Sequence, residues 1–237
     1  TKMYWIKTSH INTIHGFSTR NGGVSPAPFL SLNLGGTDDL PEHIAENRKR
    51  ALSDLNISMT QVSYLNQIHS NIVCRAQVGK QTGDALVTNQ KNIAIAVGAA
   101  DCYPVLFYDE KNKVIGAAHC GWKGTLAKIV KNTINEMVLL GAEINEIKVA
   151  IGQGICKANY QVSEDVIQQF SDAGFSSDCW EGRQLDLLQA NRFVALESGI
   201  KPESIWSMNR CTTEDDFFSY RRDSGKTGRM WALIMLK

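Results

Sequence analysis

The stretch from Ile93 to Val130 reads IAIAVGAADCYPVLFYDEKNKVIGAAHCGWKGTLAKIV. It opens with Ile93–Gly98, an apolar run with β-forming residues and strand-like length. Asp101-Cys102-Tyr103-Pro104 interrupts that run, and Pro104 has no N–H to give to a helix or a ladder. Val105–Tyr108 resumes as strand, Asp109–Lys113 turns, and Val114–Ala118 is strand again. From Thr125 the pattern changes. Leu126, Ile129, Val130, Ile134, Met137 and Val138 fall at steps of three and four, the spacing of one helix face, and Gly141 closes the run. Strands and helix in one contiguous stretch predict an α/β chain.

Working outward, RNGGVSPAPFLSLNLGGTDDLPE (Arg20–Glu42) is rich in Gly and Pro. It reads as a long ordered loop, because Phe29, Leu30, Leu32 and Leu34 give it residues to bury. A helix is expected from Pro41 through Asn56, followed by short strands at Val62–Leu65 and Ile72–Gln77. On the other side, Lys148–Gly152 reads as a buried strand. Ser163 can cap a helix carrying Val166, Ile167 and Phe170, and Asp186 can cap another that stops at Gly199. Ser204–Met208, Phe217–Arg221 and Met230–Leu236 are strand-like. The helices do not separate every strand pair. The expected architecture is therefore one α/β domain over residues 1–237, with mixed β-sheets layered between helices.

The composition narrows the function classes. With 237 residues, 43% of them hydrophobic, the chain can bury a substantial core. A formal net charge of +1 gives neither a nucleic-acid footprint nor a polybasic membrane patch. TKMYWIKTSH at the start lacks the unbroken apolar segment of a leader, and the longest apolar run is cut by Asp101 and Pro104. A cytoplasmic protein with no nucleic-acid or membrane partner is the expectation; the oligomeric state is left open. Cysteines stand at 74, 102, 120, 156, 179 and 211 with no CxxC pair, and most are expected to be small buried hydrophobes.

His69 in QIHS, Cys102 in ADCYP and His119 in AAHCGWKG each stand at a strand end or break. Strand ends on one side of a sheet converge, and ligand sites in α/β proteins collect there. Two imidazoles and a thiolate suit zinc or copper, and three protein ligands leave a position open, as in catalytic zinc sites. On spacing alone, isolated packed residues remain the alternative. His10, His15 and His43 show no partner in the sequence. Gly121 and Gly124 bracket Trp122 and Lys123 at a helix entrance, where free N–H groups can seat an anion. Arg20 in a glycine turn and Arg221 in FFSYRRDSGKTGR can grip phosphate; Arg222 and Arg229 read as parts of solvated hairpins.

QIHS, ADCYPVLFYD, AAHCGWKGT, IGQGICKANYQV, DLLQANR and CTTEDDFFSYRRDSGKTGR occur in that order. This ordered set resembles the YfiH-like family, also called the laccase-domain or polyphenol oxidase family, over essentially the whole chain. The resemblance implies a zinc-dependent purine nucleoside phosphorylase that cleaves adenosine or inosine with inorganic phosphate. Methylthioadenosine phosphorolysis and adenosine deamination are implied as companion activities. It places the metal ligands on His69, Cys102 and His119, and it implies a fold similar to the catalytic domain of cytotoxic necrotizing toxins. Three positions depart from the family pattern: Cys120 replaces alanine and can be asked whether it is a fourth ligand, Lys123 replaces arginine, and Gln153 replaces proline.

On these grounds Arg20, Lys123 and Arg221 are phosphate candidates, and Asn33 in SLNLG is a candidate for ribose or base. Asp101, beside the ligand Cys102, is expected to orient a histidine N–H or to act as a general base. The rival readings are a copper-dependent polyphenol oxidase, a cysteine hydrolase with Cys102 as nucleophile and His119 as base, and a non-catalytic nucleoside-binding protein.

Overall fold

The computed structural model describes residues 4–237. Its elements run β1 (Trp5–Ile6), β2 (Ile14–Ser18), α1 (Pro41–Ser53), β3 (Val62–Asn66), β4 (Val73–Arg75), β5 (Gly79–Thr82), β6 (Ala85–Thr88) and β7 (Ala94–Ala99). Then follow β8 (Tyr103–Asp109), β9 (Val114–Cys120), α2 (Trp122–Leu126), α3 (Ile129–Leu139), β10 (Ile147–Ile151) and α4 (Glu164–Asp172). The chain closes with β11 (Trp180–Glu181), β12 (Gln184–Leu185), α5 (Leu187–Glu197), β13 (Ile205–Ser207) and β14 (Met230–Met235).

Two six-stranded sheets form, in the orders β1-β2-β14-β7-β3-β5 and β13-β10-β8-β9-β6-β4, with β11 and β12 as a separate ribbon. Both sheets are mixed. In the first, β3 runs parallel to β5 and β7 while β14 is antiparallel to β7 and β2. In the second, β9 is antiparallel to β8 and β6, whereas β4 is parallel to β6 and β13 to β10.

Strand alternation explains the layering. Ile95, Val97, Ala232 and Ile234 of the first sheet share one core with Leu106, Tyr108, Ile115 and Ala117 of the second. Their neighbours in sequence point the other way. Ala94, Ala96, Trp231 and Leu233 pack on Leu52 of α1 and on Leu32 and Leu34 of the long loop. Val105, Phe107, Val114 and Ala118 pack on Ile134 and Met137 of α3 and on Val194 of α5. Helix, sheet, sheet and helices thus form four layers, and each fully buried Leu or Phe adds about 1.5–3 kcal/mol.

The order of the strands also defines one special end. The chain leaves the first sheet and enters the second at residues 67–72, 83–84 and 100–102, after β3, β5 and β7. Those three strands are mutually parallel, so the crossings share one end of the sandwich. β9, antiparallel to β8, finishes at that same end.

Several expectations need correction. The helix after Gly121 is two pieces: Lys128 takes a left-handed conformation (φ 60°, ψ 44°), so α2 stops and α3 begins in a new direction. Phe217–Arg221 is not a strand, because its N–H groups go elsewhere: Phe217 to the Glu214 carbonyl, Phe218 to Met230 Sδ and Arg221 to the Asp101 carboxylate. In the long loop Leu32 and Leu34 are buried, but Leu30 is exposed and Phe29 half-buried. α1 ends at Ser53 rather than Asn56, which sits in a left-handed turn. β1, β2, β5, β6 and the β11–β12 ribbon carried no separate expectation. Ser163 and Asp186 do cap α4 and α5, accepting from the N–H groups of Val166 and Gln189. Gly141 (φ +103°) and Gly199 (φ +92°) stand in the left-handed region, just past the last helical residues. Among the described residues no helix is long and apolar enough to cross a membrane.

Candidate metal centre

The crossings at the shared end bring His69, Cys102 and His119 together. One ligand atom from each lies within 4.8 Å of the others, and the two imidazoles meet edge to face with centroids 4.9 Å apart. His119 is brought in by register. Pro104 of β8 pairs with His119 of β9, so Cys102, two residues earlier, falls on the same face one step on. Cys120 faces the opposite way into the helix-side core, fully buried. Alternation, not distance in sequence, excludes it as a fourth ligand, and burial pushes its thiol up.

Asp84, on the crossing between β5 and β6, organises the two histidines. His119 Nδ1 lies 2.9 Å from Asp84 Oδ1. The backbone N–H of His69 donates to the same oxygen at 3.0 Å. Ile68 and Ser70 donate their N–H groups to Asp84 Oδ2 at 3.2 and 2.7 Å, and Ser70 Oγ donates to it at 2.6 Å. A carboxylate against Nδ1 fixes a proton there and leaves Nε2 as the ligand nitrogen. The same hydrogen bonds hold the loop in which His69 takes φ +58°, a conformation that costs a non-glycine residue about 1–2 kcal/mol.

The electrostatics match that arrangement. Burial opposes charge on Asp84, but hydrogen bonds from His119 and Ser70 hold its carboxyl down at about 2. Burial likewise opposes the Cys102 thiolate, yet the charges and hydrogen bonds of His119 and His69 pull it down. His119 is pushed up against burial by Cys102 and Asp84. Both shifts favour a thiolate beside a protonated imidazole, and a bound metal cation would take the place of that proton.

The residues fit a soft or borderline divalent metal. Two imidazoles and a thiolate are the donors zinc or copper takes. A Cβ on Gly121 would stand 2.9 Å from Cys102 Sγ and 3.2 Å from His69 Cδ2. Gly121 has φ −80°, which any residue adopts, so glycine is needed there for space beside the ligands.

The centre opens into a cavity of about 720 Å³. Lys123 and Arg221 line it, as does Asp101. Asp101 orients neither histidine, since Asp84 has that place. Its carboxylate accepts from Thr212 Oγ1 at 2.6 Å and from the Arg221 N–H at 2.7 Å. Arg20 is not on the cavity wall: its Nε donates to the Leu30 carbonyl and its guanidinium lies over Phe218. Asn33 is also absent from the wall. It is fully buried, donates to Thr37 and Asp39, and accepts the N–H groups of Gly35 and Arg229. The three remaining histidines have structural partners: His10 the Ser204 carbonyl, His15 the Thr13 carbonyl, and His43 Asp39.

Three cationic side chains on the wall went unforeseen: Arg229, Arg48 and Lys80. Arg229, read from sequence as part of a solvated hairpin, lines the cavity and lies over Tyr220. Arg48 reaches in from α1, sandwiched between Tyr64 and Trp231 at 4.8 and 4.7 Å. Arg222, by contrast, is spent on Asp223 and three carbonyls. Asp84 had one signal, a lone acidic residue opening the apolar run DALVT. Arg48 had none, because it stands on an ordinary charged helix face, NRKR. The expected anion seat at the helix entrance is reduced to the five residues of α2, whose dipole the break at Lys128 cuts short.

Residues 14–237 match the family described as multi-copper polyphenol oxidoreductase laccase. A protein of Deinococcus radiodurans named purine nucleoside phosphorylase is 46% identical, over 98% of this chain and 92% of its own. The Bacillus subtilis protein named purine nucleoside phosphorylase YlmD is 33% identical over 98% and 92%. Among solved structures, YlmD of Geobacillus stearothermophilus superposes with a TM-score of 0.93 at 27% identity over the whole of both chains. A Bacillus licheniformis protein named YfiH superposes with a TM-score of 0.90 at 31% identity, covering 94% of this chain and 92% of its own.

Proposed function

This chain belongs to the multi-copper polyphenol oxidoreductase laccase family, and from that membership and its site we propose that it is a zinc-dependent purine nucleoside phosphorylase. One observation carries the reading. A single cavity joins the His69–Cys102–His119 group to the cations Lys123, Arg48, Arg221 and Arg229, with the rings of Tyr64, Trp231, Tyr160 and Tyr220 among them. Those elements suit phosphorolysis: an anion grip, flat surfaces for a purine, and a group that could hold a Lewis-acid metal. Relatives with the name purine nucleoside phosphorylase support the same assignment.

In this reading inorganic phosphate attacks C1′ of the ribose as the bond to the purine nitrogen breaks, with positive charge building on the sugar carbon. The products are ribose 1-phosphate and the free base. Arg229, Arg221 and Lys123 hold the phosphate dianion, arginine through two parallel N–H groups. Tyr64 and Trp231, stiffened by Arg48 between them, supply the face for the base. Asp84 keeps Nε2 of His119 and the loop of His69 aimed at one point. When bound, the zinc supplies a Lewis-acid cation at that point. Adenosine, inosine and methylthioadenosine all offer the required bond, and ammonia release from adenosine belongs to the same proposal.

The assay uses protein purified without metal-affinity resin, its metal measured by elemental analysis. Adenosine or inosine is supplied with and without phosphate, and base and ribose 1-phosphate are separated chromatographically. Base release that requires phosphate is expected, with stoichiometric zinc. Phenol oxidation with oxygen uptake and bound copper, or nucleoside binding without turnover, overturns the assignment. The Cys102–His119 pair also has the make-up of a thiol hydrolase. Metal-free protein that is active and is inactivated by iodoacetamide selects that reading instead.

A further inference from the structure

A second pair of sulfurs lies outside the metal centre. Cys156 follows β10 and Cys211 follows β13, and these strands are parallel neighbours. Beyond the strands the two segments stay in register: Gly154 bridges to Cys211, and the Thr212 N–H donates to the Gly154 carbonyl at 3.0 Å. This pairing sets Cys156 Sγ and Cys211 Sγ 2.6 Å apart. Neither side chain is sealed in the core, and Asn159 beside them is exposed.

The surroundings of the two sulfurs differ. Cys211 Sγ accepts from the Cys156 N–H at 3.1 Å, from Thr213 Oγ1 at 3.2 Å and from Asn159 Nδ2 at 3.6 Å. Cys156 Sγ accepts from Asn159 Nδ2 at 3.2 Å and faces the Cys211 thiol. More donors stabilise negative charge on Cys211, so burial is outweighed and its thiol is lowered while Cys156 is raised. The pair offers too few donors for a metal: among the described residues the three-ligand group of His69, Cys102 and His119 does not include it.

We propose that Cys156 and Cys211 are a redox-modification site, oxidised reversibly by hydroperoxides to an intrachain disulfide with Cys211 as the attacking sulfur. In the first step the Cys211 thiolate attacks a peroxide oxygen. The S–O bond forms, the O–O bond breaks, and the departing hydroxide takes a proton to become water. In the second step Cys156 attacks the sulfenic sulfur. The S–S bond forms, the S–O bond breaks, and the hydroxide leaves as water with the Cys156 proton. Two thiols lose two electrons and one hydrogen peroxide becomes two waters, so the exchange balances with the peroxide as sole oxidant. A dithiol reductant reverses it.

The site is coupled to the metal pocket through Asp101. The Ile155 N–H donates to the Asp101 carbonyl at 2.8 Å and Thr212 Oγ1 donates to its carboxylate at 2.6 Å. The residues adjoining both cysteines therefore hold the residue that precedes the ligand Cys102.

The test treats metal-loaded protein with stoichiometric hydrogen peroxide, alkylates the remaining thiols and maps peptides by mass. The expected result is a Cys156–Cys211 cross-linked peptide lighter by two hydrogens, absent after dithiothreitol. Cys156→Ser should leave Cys211 as a sulfenic acid that a dimedone probe traps. Sulfinic or sulfonic acid at Cys211 in the wild type without the cross-link, or both thiols still alkylated while other cysteines are oxidised, overturns the inference. The readout is a covalent bond in the unsubstituted protein, so it stands apart from the success of the phosphorylase assay.

Discussion

Replacing Asp84 by Asn tests the organisation of the metal centre with almost no change of shape. The carboxylate receives five contacts, two on Oδ1 and three on Oδ2. An amide has a single acceptor oxygen. If its nitrogen takes the Oδ2 position, the N–H groups of Ile68 and Ser70 both face a donor. If it takes the Oδ1 position, the N–H of His69 loses its acceptor, and His119 must shift its proton to Nε2, the atom needed for the metal. Each buried donor left unpaired costs about 1–3 kcal/mol. Ile68 is exposed, so water recovers part of this, and a net loss of about 1–3 kcal/mol in metal-free stability is expected. Losing the orienting carboxylate should weaken metal binding about 10–100-fold. Urea unfolding of stripped protein measures the first quantity and chelator-competition titration the second. Asp84→Asn with unchanged zinc affinity and unchanged unfolding midpoint refutes the role given to Asp84. The carboxylate also sets an acid limit. Its value near 2 lies below the ordinary 3.8, so its contribution of roughly 2 kcal/mol is present above pH 4 and is lost as pH falls towards 2.

Other outcomes follow from the same geometry. Gly121→Ala should fold, since its backbone angles suit alanine, but lose metal, because the new Cβ meets Cys102 Sγ at 2.9 Å; circular dichroism with elemental analysis reads both. Arg229→Ala should raise the phosphate KM about 10–100-fold, the worth of one charged hydrogen-bond pair, whereas Arg20→Ala, off the cavity wall, should leave that KM unchanged. In metal-free protein Cys102 should titrate at about 6, followed by thiolate absorbance near 240 nm, and zinc should abolish the transition. The sign follows from the lowered value: the stabilisation is fully present above pH 9.0 and lost as pH falls through about 6, while that of His119 is present below pH 6.5 and lost as pH rises through about 9.

The sequence by itself determined the elements whose signals are local. Continuous apolar runs of strand-like length marked β7 to β9, three-and-four spacing marked the helical stretch after Thr125, and Ser163 and Asp186 marked two helix starts, because these signals come from the local backbone. It also singled out His69, Cys102 and His119, since ligand chemistry is written in residue type. Only the tertiary structure decided what surrounds them. Asp84 orients His119 while Asp101, adjacent to Cys102 in sequence, does not. That difference arises because three parallel strands end together and cross to the second sheet at one place. Arg229 and Arg48 enter the cavity, whereas Arg20 and Asn33 are spent on contacts between loops away from it. Whether a polar side chain faces a cavity or closes a loop depends on which backbone groups lack partners once the sheets are assembled. That balance is set by contacts distant in sequence, and no local pattern encodes it.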